Sequence, residues 1–392
     1  MKGLIIKLLL SKAKILGVLI FLFYSGISYA TSITNGPVIP ANTEKEIDAS
    51  DHKKPFEPGD MIIEHILDAH EWHILTYNDF HLAIPLPIIL IDNGHLITFS
   101  SGRFHHGLES YQGYKIMEEG PDKGRIVKVL NDGHTVDTAS GKPLDISITK
   151  NVLSLFISLI LLCVIFISIA NRYKRNPLEA PKGLQSILEP LILFVRDDIA
   201  IPTIGEKKYQ RYLPYLLTVF FFIFFNNLFG LIPIFPGGAN LTGNIAITLS
   251  LALFTFAITS FSGNKDYWKH IINTPGVPWW LKLPIPLMPM VEIIGVITKP
   301  FVLTIRLFAN MAAGHIIVLT LISLIFIFGN IHPVIGYGSS LISIPFAIFM
   351  TFLELLVAFI QAYVFTLLSA IYFGMAIEEH HHEIPEDLEK AH

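Results

Sequence analysis

The pattern of hydrophobic and polar positions changes character near residue 148. Before it, short apolar runs at 82–91 and 125–130 are bounded by turn signals, Asp92-Asn93-Gly94 and Asn131-Asp132-Gly133. Short strands between tight turns follow from that pattern, so residues 31–147 are expected to form a small β-rich domain. Beyond 148 the apolar runs are long enough to cross a ~30 Å hydrocarbon core as helices. They cover residues 148–170, 213–234 and 245–261, the last two joined by a short turn at Pro236-Gly237-Gly238. Residues 183–199 differ, with Leu184, Ile187, Leu188 and Leu191 at helical spacing followed by Arg196-Asp197-Asp198. They predict one amphipathic helix lying on the cytoplasmic surface, too short and too charged to span.

The last third carries two much longer helical patterns. One runs from about residue 289 to 328, roughly 60 Å at ~1.5 Å per residue, or about twice the hydrocarbon thickness. Such a helix must tilt steeply, break, or run partly along the interface, and Pro300 offers a kink near its start. The Gly-, Ser- and Pro-containing stretch 329–340 predicts a loop, and a second long helix is expected over 343–376.

Basic residues orient these spans. Lys2, Lys7, Lys12 and Lys14, the apolar run 15–24 and Ser28-Tyr29-Ala30 have the pattern of a secretory signal over residues 1–30. Asn171-Arg172-Tyr173-Lys174-Arg175 and Lys182 place residue 171 in the cytoplasm, and Lys265, Lys269 and Lys282 mark a return there. The expectation is therefore an all-α polytopic membrane protein with five membrane helices after signal removal, the last two long and steeply tilted. The β-rich domain is extracytoplasmic, the membrane domain covers 148–377, and an acidic cytoplasmic tail covers 378–392.

Composition agrees with lipid exposure. Charged residues make up 15% of the 392 positions, against roughly 25% in a soluble domain, and mean hydropathy is +0.55. A net charge of -4 offers no case for nucleic acid. The single cysteine, Cys163, excludes a disulfide scaffold and a cysteine-based zinc site within one chain. His65, His70, His73, His81, His95, His105 and His106 crowd the first domain, but His70-Glu71-Trp72-His73 is not the HExxH zinc pattern. They read as solvated or hydrogen-bonded groups, as does His380-His381-His382, and no cofactor is expected.

Ionisable groups inside the apolar helices point to function, because each is costly in hydrocarbon. Arg306 has no charged neighbour within six residues on either side and no acidic residue at i±4. It sits too far from either helix end to snorkel easily, so its partner must lie on another element or another chain. Asn310 shares its face, Glu292 lies about 21 Å toward the cytoplasmic end, and His315 points roughly to the opposite side. In the last helix Glu354 and Gln361, seven apart, share a face. Such a constellation in two adjacent helices reads as an ion pathway rather than as packing glue.

The run Leu303-Thr304-Ile305-Arg306-Leu307-Phe308-Ala309-Asn310-Met311-Ala312-Ala313-Gly314-His315 resembles the signature of ATP synthase subunit a, the membrane stator of the rotary motor. The resemblance extends through Asn227-Leu228-Phe229-Gly230-Leu231-Ile232-Pro233, Glu292, Lys299-Pro300 and Gln361-Ala362-Tyr363, and covers roughly residues 148–380. Three features depart from it. Many bacterial members carry Glu at the position of His315 and His at that of Glu354, so acid and imidazole are exchanged. Asn244 and Thr248 keep the polar pattern of the second hairpin helix, but Ala246 replaces a polar group. Residues 75–145 have no counterpart in the compact pattern.

The resemblance implies a non-catalytic, proton-translocating subunit of the bacterial inner membrane. Its partners would be a c-subunit ring, b-type peripheral-stalk subunits and other ATP synthase subunits. Arg306 would attract the ring carboxylate in its ionised form, with Gln361 beside it. Glu292 and Asn310 would serve a cytoplasmic half-channel, and His315, Glu354 and Asn244 an external one, where His315 and Glu354 are expected to meet. The competing reading is a self-contained secondary transporter or channel using Arg306 for an anionic solute. That class often shows paired internal repeats, and the sequence has none.

Overall fold

The computed structural model describes residue 59 and residues 67–77, 80–107, 109–117, 122–130, 135–137, 141–175, 180–232, 237–272 and 287–378. The signal segment, His65, the Asn131-Asp132-Gly133 turn, Lys282 and the tail beyond 378 lie outside the described residues.

The first domain is built from three small antiparallel sheets. β1 (Glu71–Tyr77) pairs with β2 (Phe80–Pro85), and β3 (Pro87–Asp92) lies between β4 (His95–Ser100) and β7 (Leu144–Asp145). β5 (Tyr114–Ile116) pairs with β6 (Ile126–Lys128). The Asn93-Gly94 turn between β3 and β4 has both residues at positive φ, 49° and 82°, as a two-residue hairpin of this type requires. Alternation along β3 sends the fully buried Ile88 and Leu90 into a core with Phe104, Tyr114 and Ile126. The apolar run 82–91 is not one strand. Leu86 leaves the ladder between β2 and β3 because its N–H donates to Ser101 Oγ and its carbonyl accepts from Ser101 N, each at 2.9 Å.

Beyond β7 the chain continues beside β3, with Ile146 N donating to Ile89 O and Ile148 N to Pro87 O, and enters the first membrane helix, α1 (Lys150–Arg175). The junction is clasped by residues some eighty positions upstream. Asp68 Oδ1 accepts from Asn151 N at 3.0 Å, Asp68 Oδ2 accepts from the Thr149 hydroxyl at 2.7 Å, and Ala69 O accepts from Lys150 N at 2.8 Å. A carboxylate is thus held at the N-terminal end of α1, where unpaired N–H groups and the helix dipole favour negative charge. His70 Nε2 meets Asp145 Oδ2 at 2.9 Å and ties the start of β1 to β7.

Burial by itself would push the His70 imidazole down, but the Asp145 carboxylate holds it above its ordinary value. Asp145 is held below the usual carboxylate range despite its burial, chiefly by His70. A raised histidine contributes stability that is fully present below its unfolded pKa, about 6.5, and is lost as pH rises through the folded value. Asp68, raised by burial, adds a slope of the same sign at lower pH. Amide exchange over residues 144–149, corrected for intrinsic rates, should therefore be slowest in mild acid and quicken above neutral pH. H70Q should flatten that dependence, and a flat wild-type profile would refute it.

The membrane part contains α2 (Leu184–Phe194), a π-helical turn (Val195–Ala200), α3 (Ile201–Ile204), α4 (Tyr209–Leu231), α5 (Ile245–Ser262), α6 (Lys265–Ile272), α7 (Leu287–Ile331) and α8 (Pro333–Ile377). Among the described residues five helices are long and apolar enough to cross a membrane: α1, α4, α5, α7 and α8. α8 packs against α7, α4 and α5, with Phe220, Leu216 and Ile223 of α4 and Phe373 of α8 at less than 2% exposure in their shared core.

Two sequence expectations need correction here. The segment read as a surface helix over 183–199 continues to Ile204, and from Val195 onward one side of it turns inward. Val195, Ile199 and Ala200 are fully buried in the core shared with α4 and α8, while Leu184 and Ile187 remain exposed. Gly374 of α8 permits this approach, because a Cβ there would collide with Thr203 O. The loop expected over 329–340 is also absent. α7 ends at Ile331 and α8 begins at Pro333, with His332 alone between them. His332 Nδ1 caps α8 by accepting from Val334 N, Pro333 needs no N–H at the first position, and Gly336 meets the Gly329 backbone so closely that a Cβ would lie 2.6 Å from Gly329 Cα. The small residues mark a tight helix crossing rather than a loop.

Candidate functional site: a buried imidazole–carboxylate pair behind an outward arginine

α7 has two faces. Leu303, Leu307 and Met311, each one turn from the next, are at most 1% exposed and are followed by His315 at 8%. Arg306 and Asn310 are exposed on the other side of the same helix. Among the described residues Arg306 makes no hydrogen bond or ion pair, although α7 runs unbroken through it.

The inner face meets α8 at Glu354, which is 6% exposed. His315 Nδ1 lies 2.6 Å from Glu354 Oε1, an ion-pair contact that is not aligned as a hydrogen bond. The same nitrogen faces Met311 O at 3.1 Å, and Nε2 faces Gly230 O of α4 at 3.2 Å. A neutral imidazole has one N–H and can serve only one of these carbonyls, and the second donor arrives with a proton. A proton on this ring is therefore shared among α4, α7 and α8. Gly314 makes room for the pair, since a Cβ there would lie 2.9 Å from Glu354 Oε1.

Gly314 faces Glu354 and Gly329 faces Gly336, so α7 and α8 run antiparallel in a register that sets Gln361 level with Arg306. Gln361 is buried while Arg306 points away. Glu292 is half-buried near the start of α7, beyond Lys299, whose Nζ lies 5.2 Å from the centre of the Tyr372 ring. A cavity beside it, among α5, α6, α7 and α8, is lined in part by Thr255, Thr259, Tyr267, Lys299 and Tyr372. Among the described residues no hydrogen bond or ion pair ties Asn244 to the pair. It is the N-cap of α5, and its Oδ1 accepts from Ala246 N at 2.9 Å.

Sequence reasoning quoted Asn227 only within the run that carries the resemblance and gave the polar groups at the far end of α4 no role. Thr242 Oγ1 donates to Asn227 Oδ1 at 2.5 Å, and Asn227 Nδ2 donates to Ala358 O at 3.3 Å. Their signal was present in two consecutive asparagines closing a phenylalanine-rich helix. Among the described residues no three His, Cys, Asp or Glu side chains gather as a metal site, and His70 is instead occupied by Asp145.

A family model described as ATP synthase A chain matches residues 152–374, and one described as Domain of unknown function (DUF8433) matches residues 61–146. The chain is 50% identical over 238 residues to ATP synthase subunit a 2 of Chlorobaculum tepidum, covering 59% of this chain and 64% of that protein. It is 44% identical over 265 residues to ATP synthase subunit a of Myxococcus xanthus, covering 64% and 82%. Against ATP synthase subunit a 2 of Prosthecochloris aestuarii the identity is 45% over 245 residues, covering 61% and 71%. The first of these relatives is thus matched over less than two thirds of its length.

Proposed function

The chain belongs to the ATP synthase A chain family, and from that premise we propose that it is the proton-translocating stator subunit that couples proton flow to rotation of a c-subunit ring. Arg306 carries the reading. A charged guanidinium on the outward face of a long apolar helix, without an ion pair among the described residues, requires an anionic partner from another chain. A ring carboxylate at mid-membrane supplies one, and the arginine favours its ionised form.

His315 and Glu354 would deliver protons on the external side, with Asn244 near the mouth of that path. Glu292 and Asn310 would serve the cytoplasmic half-channel, and Gln361 would help Arg306 block direct passage. The driving force is about 2.3 kcal/mol per proton for each 100 mV. Bond making lies elsewhere in the complex, so this subunit needs no active site. The first domain lies outside the cytoplasm of a bacterial inner membrane, and b-type stalk subunits complete the stator.

α7 and α8 have 45 residues each, about 68 Å at ~1.5 Å per residue. They lie steeply inclined, beyond the ~20° average, and polarised infrared dichroism of oriented membranes checks this. Reconstitution tests the function. The subunit alone in vesicles should move no protons, and co-reconstitution with its c ring should open a conductance. Solute or proton transport by the isolated subunit would favour a self-contained transporter.

A further inference from the structure

Asn226 and Asn227 are neighbours in sequence, yet their side chains differ in one respect. Both are buried, at 1% and 0% exposure. Asn227 is matched at both ends, by Thr242 and by Ala358 O. Asn226 donates through Nδ2 to Phe222 O of its own helix at 2.7 Å, and its Oδ1 has no partner among the described residues. Asn240, 4% exposed, shows the complementary condition: its Oδ1 accepts from Gly243 N at 2.8 Å, while Nδ2 has no partner. Glu354 Oε1, by contrast, is engaged by His315 Nδ1 at 2.6 Å.

The two asparagines lie close to Gly230. Asn226 lies one turn from Gly230 on the same face of α4, and Gly230 O receives His315 Nε2. A Cβ on Gly230 would sit 3.6 Å from His315 Cε1 and Nε2 and 3.7 Å from Ala239 O, the carbonyl just before Asn240. Two asparagines with unmatched amide atoms, one an oxygen and one an N–H, therefore lie next to Gly230, the residue whose carbonyl faces His315 Nε2. Buried polar atoms are normally paired, and a site with both donors and acceptors suits water. An asparagine whose only task was to bond its own helix would leave the other half of its amide unsatisfied at a net loss.

We propose that the Asn226 and Asn240 amides are the water-holding groups of the external half-channel, hydrating the His315–Glu354 pair from the α4 side. This rests on the half-channel reading above. The two amides are positioning residues, because they act on the proton through water and through the pair. Water held there links a proton arriving near Asn240 to the imidazole, and Asn226 holds water on the side nearer the level of Arg306.

The test uses the whole complex in membrane vesicles stripped of the catalytic sector, with passive proton conduction driven by a potassium diffusion potential across a range of pH. N226L and N240L should each lower conduction at least about tenfold, a part of the ~10²–10⁴-fold that a well-positioned proton transfer contributes. They should also move the midpoint of its pH profile by about half a unit or more. N226S, small and polar, should retain most of the rate. Should N226L fail to assemble, N226M takes its place with the same expected outcomes. Wild-type rate and pH profile in the apolar variants overturn the proposal, as does equal loss in N226S and N226L with an unmoved profile, which assigns the loss to packing. E354Q is the control for the underlying reading: if it conducts normally, the half-channel reading fails, whereas loss in E354Q with normal N226L defeats only the hydration proposal.

Discussion

Replacing Arg306 with alanine should abolish ATP-driven proton pumping while the complex still assembles. The side chain projects from the outer face of α7 and makes no hydrogen bond or ion pair among the described residues, so its removal leaves the Leu303, Leu307 and Met311 packing untouched. What is lost is its attraction for an ionised carboxylate on the ring. Two unit charges at ~4 Å interact by about 4 kcal/mol at an effective dielectric of ~20, roughly a thousandfold in the ionised fraction. Without it the ring carboxylates stay protonated as they pass, or protons leak between the half-channels. R306K should recover only part of the activity, because an ammonium keeps the charge but loses the planar fork. Fluorescence quenching in inverted vesicles reads pumping, and immunoblots read subunit content. Undiminished pumping at normal content in R306A would remove the arginine from the mechanism.

The spans and the two faces of α7 were legible because both follow from local rules. Hydrophobic length marks a membrane helix, and nine residues of helix place His315 opposite Arg306, as its burial against the exposure of Arg306 confirms. Features governed by contacts between distant positions were not legible. The Asp68 cap on α1 joins residues 83 positions apart at its Asn151 end, and no periodicity announces it. The Gly-Ser-Pro stretch after residue 329 has the composition of a loop, yet small residues serve equally well where two helices touch. The inward turn from Val195 onward depends on Gly374, some 170 residues away. Asn244 was legible as a polar residue at the start of a membrane helix, but its capping bond, which occupies Oδ1, was not drawn from the sequence.

Exchanging His315 and Glu354 tests whether they act as one proton relay. H315E and E354H should each impair pumping severely, since each places two like groups where an acid and a base now meet at 2.6 Å. Two carboxylates at that spacing cannot both ionise, and two imidazoles cannot both be charged, so either single variant loses the group that receives the proton. The double exchange restores the chemistry. It also has room, because the helix surface facing residue 354 is Gly314, with no side chain to obstruct an imidazole. Recovery should be substantial but incomplete: Gly230 O accepts from His315 Nε2 in the native arrangement, and a glutamate at 315 returns no N–H unless protonated. A purely structural bond between helices, worth about 0.6 kcal/mol on average, would give small single effects that simply add. Pumping rates of the four proteins at matched subunit content decide between these outcomes. A double exchange no better than the worse single variant would mean that imidazole and carboxylate have separate duties fixed by their own surroundings, Met311 and Gly230 carbonyls for one and α8 for the other.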